Sequence, residues 1–351
     1  MLSSFIISGG KSIMKKVLKF AIALTCAIAF VGCSDIEEST DSEDTITTEN
    51  TERSAWSITG STFTHDPSVI YEKSSGLYWM FYTADGIGVK YSTDGKNWIQ
   101  GTQIFASAPS WWSQYVPGKT DFNVWAPDIS YYNGYYNLYY SVSTFGSNVS
   151  CIGLIRCTSI VKGDWVDQGL VLRSTKASKY NCIDPNFVLA DKTPYLVFGS
   201  WYDGIWIVRL SSGTMKPNKS AVQIADRDLA PSQNALEGPC IWARGNGYYY
   251  LFCSYDKCCA GTNSTYNIRY GRSKSITGPY LDKNGVSMLD NGGTVLLKSS
   301  GNQIGPGGQT VFTTKSGSTA ICYHYYDAKN NGTSTLAIRD IKTVNGWPVL
   351  Y

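Results

Sequence analysis

One arrangement of residues occurs five times along the chain, and this repeat limits the folds that the sequence can adopt. Each copy begins with a polar or acidic segment containing proline or glycine, continues into a short apolar strand, turns, and enters a second strand that is usually rich in Tyr. The copies begin 53 to 68 residues apart, at Asp66, Asp128, Asp184, Glu237 and Gly305. Three-stranded units with a fourth outer strand, repeated in this way, predict an all-β protein, a five-bladed β-propeller.

The residues inside each copy favour strands. The chain contains 25 Tyr and 11 Trp, and aromatic residues fit the half-buried surface of a sheet. Asp94-Gly95, Asn133-Gly134 and Asn246-Gly247 predict tight turns between strands. No segment between the copies shows the apolar period of an amphipathic helix. A β-sandwich is the alternative fold, but it gives no reason for strands to restart from an acidic segment at regular intervals.

The first 32 residues resemble an export signal. A basic start at Met14-Lys15-Lys16 leads into an apolar stretch from Phe20 to Val31, which is too short to span a bilayer. Residues 1–13 are interpreted as an upstream extension. Val31-Gly32-Cys33 resembles the lipobox of bacterial lipoproteins, which implies that Cys33 carries a lipid. An ordinary signal peptide with a chance cysteine is the alternative.

Residues 33–55 have the composition of a disordered tether, because they are rich in acidic residues, Ser and Thr and almost devoid of apolar side chains. The sequence therefore predicts an exported lipoprotein at the outer membrane or cell surface, attached to the membrane only through its anchor. The folded domain is predicted at residues 56–351, and nothing in the sequence indicates an oligomer.

Charge and cysteine usage exclude several classes of function. The whole chain has a formal net charge of +3, and its Lys and Arg residues are not clustered as in proteins that bind nucleic acids. The chain has two His and no C-x-x-C pair, which argues against a zinc site. The folded domain has eight Cys, among them the adjacent Cys258 and Cys259, which are either two thiols or a strained disulfide.

Three acids stand out because a propeller brings the starts of its inner strands together at the central axis. Asp66, Asp184 and Glu237 begin three of the five copies, and Glu72 is the only other Glu of the domain. We expect the three carboxyl groups to face one pocket. Two carboxyl groups suffice to hydrolyse a glycosidic bond, and a third nearby raises the pKa of the acid. This chemistry requires no metal or nucleotide.

At these residues the sequence resembles the family 43 glycoside hydrolases, which are five-bladed propellers. The resemblance covers about residues 60–351 and rests first on three short motifs: His65-Asp66-Pro67-Ser68, Ile183-Asp184-Pro185 and Glu237-Gly238-Pro239. It implies that Asp66 is the general base, Asp184 modulates pKa and orientation, and Glu237 is the general acid. The family inverts configuration, so Asp66 would activate water.

Further segments resemble the arabinanase branch of the family, which cleaves α-1,5-linked L-arabinan. These segments are Trp125-Ala126-Pro127-Asp128, residues 139–146, Phe198-Gly199-Ser200-Trp201, the Cys258-Cys259 pair followed by Ser264-Thr265-Tyr266, residues 271–273, and Gly346-Trp347-Pro348. The resemblance implies arabinan or a related pectic or hemicellulosic polysaccharide as partner. We expect substrate contacts from His65, Trp125, Asp128, Phe145, Ser200 and Trp201. Phe145 and Trp125 are candidates for sugar stacking, with a role in the core as the alternative for either.

The resemblance departs from the family pattern at the expected metal centre. Arabinanases usually carry a His after the Gly-x-Gly of the fifth copy, near a central ion that is often calcium, and Gly308 stands there in this chain. Gln309 and His324 are the remaining candidate ligands, although His324 is interpreted first as a buried hydrogen-bonded residue, with a ligand as the alternative. The sequence therefore leaves open a structural calcium ion near the axis, an ion held differently, or none.

Three functions agree with these features. The first is cleavage of internal bonds of arabinan. The second is an exo-acting α-L-arabinofuranosidase or β-xylosidase, which differs in whether loops such as Phe105 to Phe122 block one end of the cleft. The third is a propeller that binds glycans without catalysis, against which the three intact acids argue.

Overall fold

The computed structural model describes residues 55–227, 229 and 234–351. By its internal contacts, Thr51–Tyr351 is one compact unit. The predicted signal peptide, lipidated Cys33 and nearly all of the predicted tether lie outside the described residues. In the part described, no helix is long and apolar enough to cross a membrane.

Twenty-two strands of the described residues form five sheets. In chain order, the strands up to the end of the first sheet are β1 (Thr59–Gly60), β2 (Ser68–Glu72), β3 (Leu77–Tyr82), β4 (Ala84–Asp85), β5 (Gly88–Ser92) and β6 (Asn97–Gln100). Then follow β7 (Asn123–Tyr132), β8 (Tyr135–Val142), β9 (Ser150–Cys157) and β10 (Val166–Ser174); and β11 (Asn186–Ala190), β12 (Thr193–Phe198), β13 (Ile205–Arg209) and β14 (Val222–Ala225). The last eight are β15 (Leu236–Ala243), β16 (Tyr249–Tyr255), β17 (Asn267–Ser273) and β18 (Thr294–Leu297); and β19 (Gln303–Thr313), β20 (Thr319–Asp327), β21 (Thr333–Val344) and β22 (Trp347–Leu350).

Each sheet is one blade, and its strands follow one another outward from the inner strand. The inner strands are β2, β7, β11, β15 and β19, and each contacts the next in a closed ring. Neighbouring strands are antiparallel apart from β1, which runs parallel to β6, and the short β4 joins the second blade beside β7. This arrangement confirms the predicted five-bladed β-propeller.

The second strand of each blade is buried on both faces, and its successive residues belong to different buried clusters. Successive side chains of a strand point to opposite faces, so adjacent apolar residues pack against different neighbouring blades. Five buried clusters result, one at each blade junction, and they pair Phe81 with Leu138, Tyr139 with Leu196, Val197 with Leu251, Phe252 with Ile321, and Met80 with Cys322. The core therefore forms a ring of interfaces around the axis.

The chain closes the ring by pairing its first described residues with the last blade. The backbone N–H of Trp56 donates to the carbonyl of Ile338 at 2.8 Å, and that of Leu336 donates to Thr62 at 2.9 Å. The same segment continues into β1, which pairs with the first blade. The unit thus contains all five blades and its own closure.

Short helices interrupt the strands, although the sequence showed no helical period. They are α1 (Trp111–Tyr115) and two 3₁₀ turns, Gly261–Asn263 and Ala328–Asn330. α1 lies in the loop Phe105 to Phe122, and it is too short to show a period. Its Trp112 is buried between the first two blades, and the indole of Trp111 donates to Asp167 at 2.8 Å. The loop is therefore fastened to the flank of the second blade.

Candidate active site

A pocket on the propeller axis is built from the same backbone feature in all five blades. Each blade brings one residue with a left-handed backbone to the axis, just before the inner strand in the first and third blades and within it in the others: Asp66 (φ 48°), Ala126 (φ 40°), Asp184 (φ 56°), Gly238 (φ 55°) and Gly308 (φ 58°). These five residues line one pocket, together with Pro127, Pro185, Pro239, Gln309 and Thr310. A left-handed residue turns the chain sharply. Proline follows four of the five, and its fixed φ favours the extended backbone of the strand.

This pattern corrects the alignment of the repeat. The structural equivalents of Asp66 and Asp184 are Ala126, Gly238 and Gly308, and not Asp128, Glu237 and Gly305. Irregular pairing of the strands causes the shift, because β7, β15 and β19 change register just after they enter the ring. Glu237 therefore precedes the pocket-lining position of its blade by one residue.

The carboxylate of Asp66 is held on one side only. Its Oδ2 accepts hydrogen bonds from Thr83 Oγ1 at 2.7 Å and from His65 Nδ1 at 2.8 Å. In the part of the chain described, no hydrogen bond ends on Oδ1, which lies 3.6 Å from His324 Nδ1. Burial alone would raise the pKa of Asp66, but the charge and hydrogen bond of His65 hold it well below its usual value. Asp66 is therefore ionised, with one oxygen free.

His65 forms an ion pair with this carboxylate. Burial by itself would lower its pKa, yet the adjacent Asp66 raises the pKa of His65 to about 10. The protonated ring donates from Nδ1 to Asp66, and Nε2 lies 3.1 Å from the hydroxyl of Tyr326. The ring of His65 also stacks on that of His324, with centroids 3.8 Å apart.

Asp184 and Glu237 form a second group of acids beside the first. Asp184 Oδ2 accepts the backbone N–H of Gly238 at 3.0 Å, and Ser141 Oγ accepts the N–H of Asp184 at 2.9 Å. Burial, and then repulsion from Glu237 and Asp66, raise the pKa of Asp184 well above its usual value. The three acids therefore act on one another electrostatically, as expected for groups that converge on one pocket.

Both oxygens of Glu237 meet hydroxyl groups. Ser200 Oγ lies 2.7 Å from Oε2, and the hydroxyl of Tyr266 lies 2.8 Å from Oε1. Burial raises the pKa of Glu237, although these two hydrogen bonds act in the opposite direction. The site thus holds an ionised carboxylate and a carboxyl group that retains its proton to higher pH, which is the equipment for acid–base hydrolysis of a glycosidic bond.

Gly308 is required by close packing beside Asp66. A Cβ at this position would collide with Asp66 Oδ1 and approach the ring of His324, and the positive φ adds strain for any other residue. A histidine at this position would therefore displace the carboxylate. The family's usual histidine is therefore replaced by Gly308 because His324 and Asp66 occupy the space that its side chain would need.

Asp128 was expected to contact substrate, and the structure contradicts this expectation. Asp128 is buried, and its carboxylate accepts hydrogen bonds from Ser68 Oγ, Asn186 Nδ2 and the backbone N–H of Phe187. These donors come from the first and third blades. Asp128 therefore joins three blades, because the register shift of β7 turns its side chain away from the axis.

The other expected substrate contacts differ in exposure. Ser200 is buried and bonded to Glu237, so it lies behind the acid. His65, Trp125 and Trp201 are partly exposed, and the ring of Trp125 has the ammonium group of Lys119 5.3 Å from its centre. Phe145 is 86% exposed, which removes the alternative that it belongs to the core.

The two candidate metal ligands are used differently. Gln309 is buried; its amide donates to the carbonyl of Gly238 at 2.6 Å, and its Oε1 accepts from Ser254 at 2.8 Å. His324 Nδ1 accepts the backbone N–H of Asp66, whereas its buried Nε2 has no hydrogen-bond partner in the part of the chain described. The amide of Gln309 is therefore used to join the fourth and fifth blades. Of the two candidate ligands, only His324 has a side-chain atom without a hydrogen-bond partner among the described residues.

Several residues of the site were not assigned a role from the sequence. Tyr266 lies in a segment that resembles the family, but nothing in that segment shows that it contacts Glu237. Tyr326, which was not singled out, contacts His65 through its hydroxyl. Thr83 gave no signal at all. Its hydroxyl donates to Asp66 and accepts the N–H of Ala126 at 2.9 Å, and so links two blades at the pocket.

Comparison with known proteins agrees with this geometry. An extracellular endo-α-(1→5)-L-arabinanase of Bacillus subtilis strain 168 is 50% identical over 287 residues, which cover 81% of this chain and 86% of that protein. The structure of an endo-arabinanase from Bacillus licheniformis has a TM-score of 0.79 and 47% identity, covering 84% of this chain and 99% of its own. An exo-1,5-α-L-arabinanase from a bovine ruminal metagenomic library has a TM-score of 0.78 and 39% identity, with coverage of 84% and 99%.

The family resemblance inferred from the sequence is confirmed by a match that spans almost the whole propeller. The sequence model described as glycosyl hydrolases family 43 matches residues 58–348, which include all five inner strands and the three acids. The chain therefore belongs to family 43 of the glycosyl hydrolases.

Proposed function

We propose that the protein is an inverting glycoside hydrolase that cleaves internal α-1,5-L-arabinofuranosidic bonds of arabinan. The observation that carries this proposal is the cluster of three acids at the axis, in which the ionised carboxylate of Asp66 interacts electrostatically with two acids of raised pKa. Asp66 and Asp184 line the axial pocket, and Glu237 directly precedes the lining residue Gly238. The relatives that are most informative about substrate are named as arabinanases.

Asp66 is the general base. Its Oδ2 is occupied by Thr83 and His65, and Oδ1 is available to take a proton from a water molecule. The ion pair with His65 keeps the carboxylate charged over the whole neutral range. A base must accept a proton at the working pH, and Asp66 meets this requirement without a metal.

Glu237 is the general acid, and the nature of its partners supports this choice over Asp184. A backbone N–H can only donate, so Gly238 favours a charged carboxylate at Asp184. The hydroxyls of Ser200 and Tyr266 can donate or accept, and they therefore tolerate a protonated Glu237. Repulsion between Asp184 and Glu237 means that one of the two keeps a proton, and the N–H of Gly238 favours the charge on Asp184 and the proton on Glu237.

The reaction then proceeds in a single displacement. Glu237 gives its proton to the glycosidic oxygen as the bond to the anomeric carbon breaks, while Asp66 takes a proton from the water that attacks this carbon from the opposite face. The products are two shorter chains, and the configuration at the anomeric carbon is inverted. A later exchange of protons with solvent returns both acids to their starting states.

Two features favour internal cleavage over release from chain ends. None of residues 105–122 lines the axial pocket, because Trp112 is buried in the core and Trp111 is bonded to the second blade. Phe145, with 86% of its side chain exposed, offers a flat apolar surface on which a sugar ring stacks. Trp125 and Trp201 are the further stacking candidates.

The chain has a residue that suits the calcium ion implied by the family. The ring of His324 lies beside Gly308 and Asp66 through Nδ1 and Cε1, and its buried Nε2 has no hydrogen-bond partner in the part described, so Nε2 is the nitrogen that would be free to hold the ion. Calcium prefers oxygen ligands, and water would supply most of them. A bound cation would add positive charge near the pocket. The acids of the chain carry out the proton transfers themselves.

The location of the protein follows from its first residues. The signal peptide of residues 1–32 and the lipid on Cys33 would export the enzyme and hold it at the outer membrane or cell surface, where polysaccharide is met. A relative named as extracellular supports export. The monomeric state and the lack of nucleic-acid binding remain predictions.

Digestion of polysaccharides tests the substrate and the mode of cleavage. We expect residues 51–351 to degrade linear arabinan and debranched arabinan to short oligosaccharides at early times, and to leave xylan intact. Product lengths are measured by chromatography over time. Release of arabinose alone from the start would replace the endo mode by the exo mode, and cleavage of xylan alone would contradict the substrate. The Glu237→Gln variant, which cannot donate the proton, serves as the matched inactive control.

The pH profile tests the role of Tyr266. Its hydrogen bond lowers the pKa of Glu237, so Tyr266→Phe should raise that pKa. Since the general acid works in its protonated form, the alkaline limb of kcat/KM should move upward by about one pH unit. The acidic limb, set by Asp66, should not move. Tyr325→Phe, which alters a half-buried Tyr of the last blade, is the control, and an unchanged alkaline limb in Tyr266→Phe would contradict the assignment.

A further inference from the structure

Two adjacent thiols lie at the edge of the site and have no part in the reaction above. Cys258 is partly buried and Cys259 is exposed, in the loop that follows β16. The other six cysteines of the described residues are buried free thiols: Cys151, Cys157, Cys182, Cys240, Cys253 and Cys322. A reagent in solution therefore meets Cys259 and its neighbour first.

A short chain of hydrogen bonds connects Cys259 to the general base. The backbone N–H of Cys259 donates to the hydroxyl oxygen of Tyr326 at 2.7 Å. The same oxygen lies 3.1 Å from Nε2 of His65, and Nδ1 of His65 lies 2.8 Å from Asp66 Oδ2. The thiol itself is also close, with Cys259 Sγ 3.8 Å from His65 Nε2. The position of the Cys259 backbone is thereby coupled to the orientation of Asp66.

The pair has the reactivity needed for thiol–disulfide exchange. A hydrogen bond from the Cys258 thiol, and a further one from His65, lower the pKa of Cys259 to about 5, whereas the hydrogen bond to Cys259 and then burial raise the pKa of Cys258. A thiolate is the species that attacks a disulfide. Adjacent Cα atoms are only about 3.8 Å apart, while disulfides usually join Cα atoms about 4.4–6.8 Å apart. A bond between neighbours is therefore strained and readily reduced again.

We propose that Cys258 and Cys259 form an oxidisable dithiol site, which a small-molecule disulfide closes to a vicinal disulfide and which thereby lowers the activity of the enzyme. The Cys259 thiolate attacks one sulfur of the disulfide and releases the first thiolate. The Cys258 thiol then loses its proton and displaces the second, so that two protein thiols are oxidised and one disulfide is reduced to two thiols. The effect on activity rests on the proposed function.

Closure acts through the backbone. Cys259 has a φ of 58°, an uncommon value for a residue other than glycine, and the eight-membered ring requires the peptide between the two cysteines to reorient. Reorientation withdraws the N–H from Tyr326 and the thiol from His65. His65 is then less firmly placed against Asp66, and the base loses alignment with the attacking water.

The test uses residues 51–351 in excess glutathione disulfide and in excess reduced glutathione. Mass spectrometry and thiol counting on the folded protein are expected to show the loss of two hydrogens and of two reactive thiols. The kcat on linear arabinan should fall about tenfold, since a small displacement of a catalytic group has effects of this order, and a reductant should restore it. The chain has only two His, so the imidazole N–H resonances of His65 can be followed by NMR without substrate, and they should shift.

The variants separate the possible outcomes. Cys258→Ser with Cys259→Ser should have the activity of the reduced enzyme under both conditions, and Cys258→Ser alone should form only a mixed disulfide. Failure of the internal disulfide to form would overturn the proposal, as would a disulfide that changes neither the His65 resonances nor the activity. If the reduced enzyme did not cleave arabinan, the proposed function would fail, while the mass and NMR measurements would still decide the dithiol site.

Discussion

Glu237→Ala is expected to lose at least about a thousandfold in kcat on arabinan, equivalent to about 4 kcal/mol in the activation barrier. The alkoxide of a sugar is a poor leaving group, and Glu237 is the group that protonates it. The side chain is partly exposed, and among the described residues it is bonded only to the hydroxyls of Ser200 and Tyr266, so its removal leaves none of them as a charged group without a partner. Binding of arabinan, measured by calorimetry, should be retained.

A substrate whose leaving group needs no protonation tests whether Glu237 acts as the general acid. An aryl arabino-oligosaccharide whose phenol leaves without protonation should be cleaved by Glu237→Ala at a rate near that of the parent enzyme. An equal loss on both substrates would show that Glu237 does something other than protonate the leaving oxygen. Thermal unfolding of both proteins checks that the variant is folded.

Asp66→Asn is expected to abolish activity on both substrates, with a loss of about a thousandfold or more. Attack by water requires a base whatever the leaving group is, and an amide cannot accept the proton. Asn suits the test because it tolerates the left-handed backbone of this position as Asp does. The kcat is measured on arabinan and on the aryl substrate under the same conditions.

The control for this variant is Asp290→Asn, which makes the same chemical change at an exposed position outside the site. It should leave both activities unchanged. Retention of activity on the aryl substrate by Asp66→Asn would mean that another group activates water, and the assignment of base and acid would then have to be revised.

The fold was predictable from the sequence because each propeller blade is formed by consecutive residues. Its strands are consecutive in sequence, and pairs such as Phe81 and Met80, or Val197 and Leu196, show the alternation of a strand buried on both faces. Such a pattern is visible in any single copy. Repetition of the copies then indicates a ring, since each blade must cover the exposed faces of its neighbours.

The convergence of Asp66, Asp184 and Glu237 was predicted for the same reason, but their register was not. Counting from the acids made Asp128 equivalent to Asp66, whereas the left-handed residue of that blade is Ala126. Bulges displace the chain by one or two residues, and a change of one residue in a strand turns a side chain to the opposite face. Asp128 consequently became a buried link between blades.

The sequence alone determined the number of blades, because each blade is built from consecutive residues. The roles of the three acids and the export signal, which were also inferred from short segments, remain predictions. Only the tertiary structure showed the partners that shift the pKa of each acid, since most of them are distant in sequence: Tyr266 bonds to Glu237, the N–H of Gly238 bonds to Asp184, and His324 lies beside Asp66. The same holds for Cys259, whose connection to Asp66 runs through Tyr326 of the last blade. A pKa is set by the charges and donors that surround a group in space, and these become neighbours only when the ring has closed.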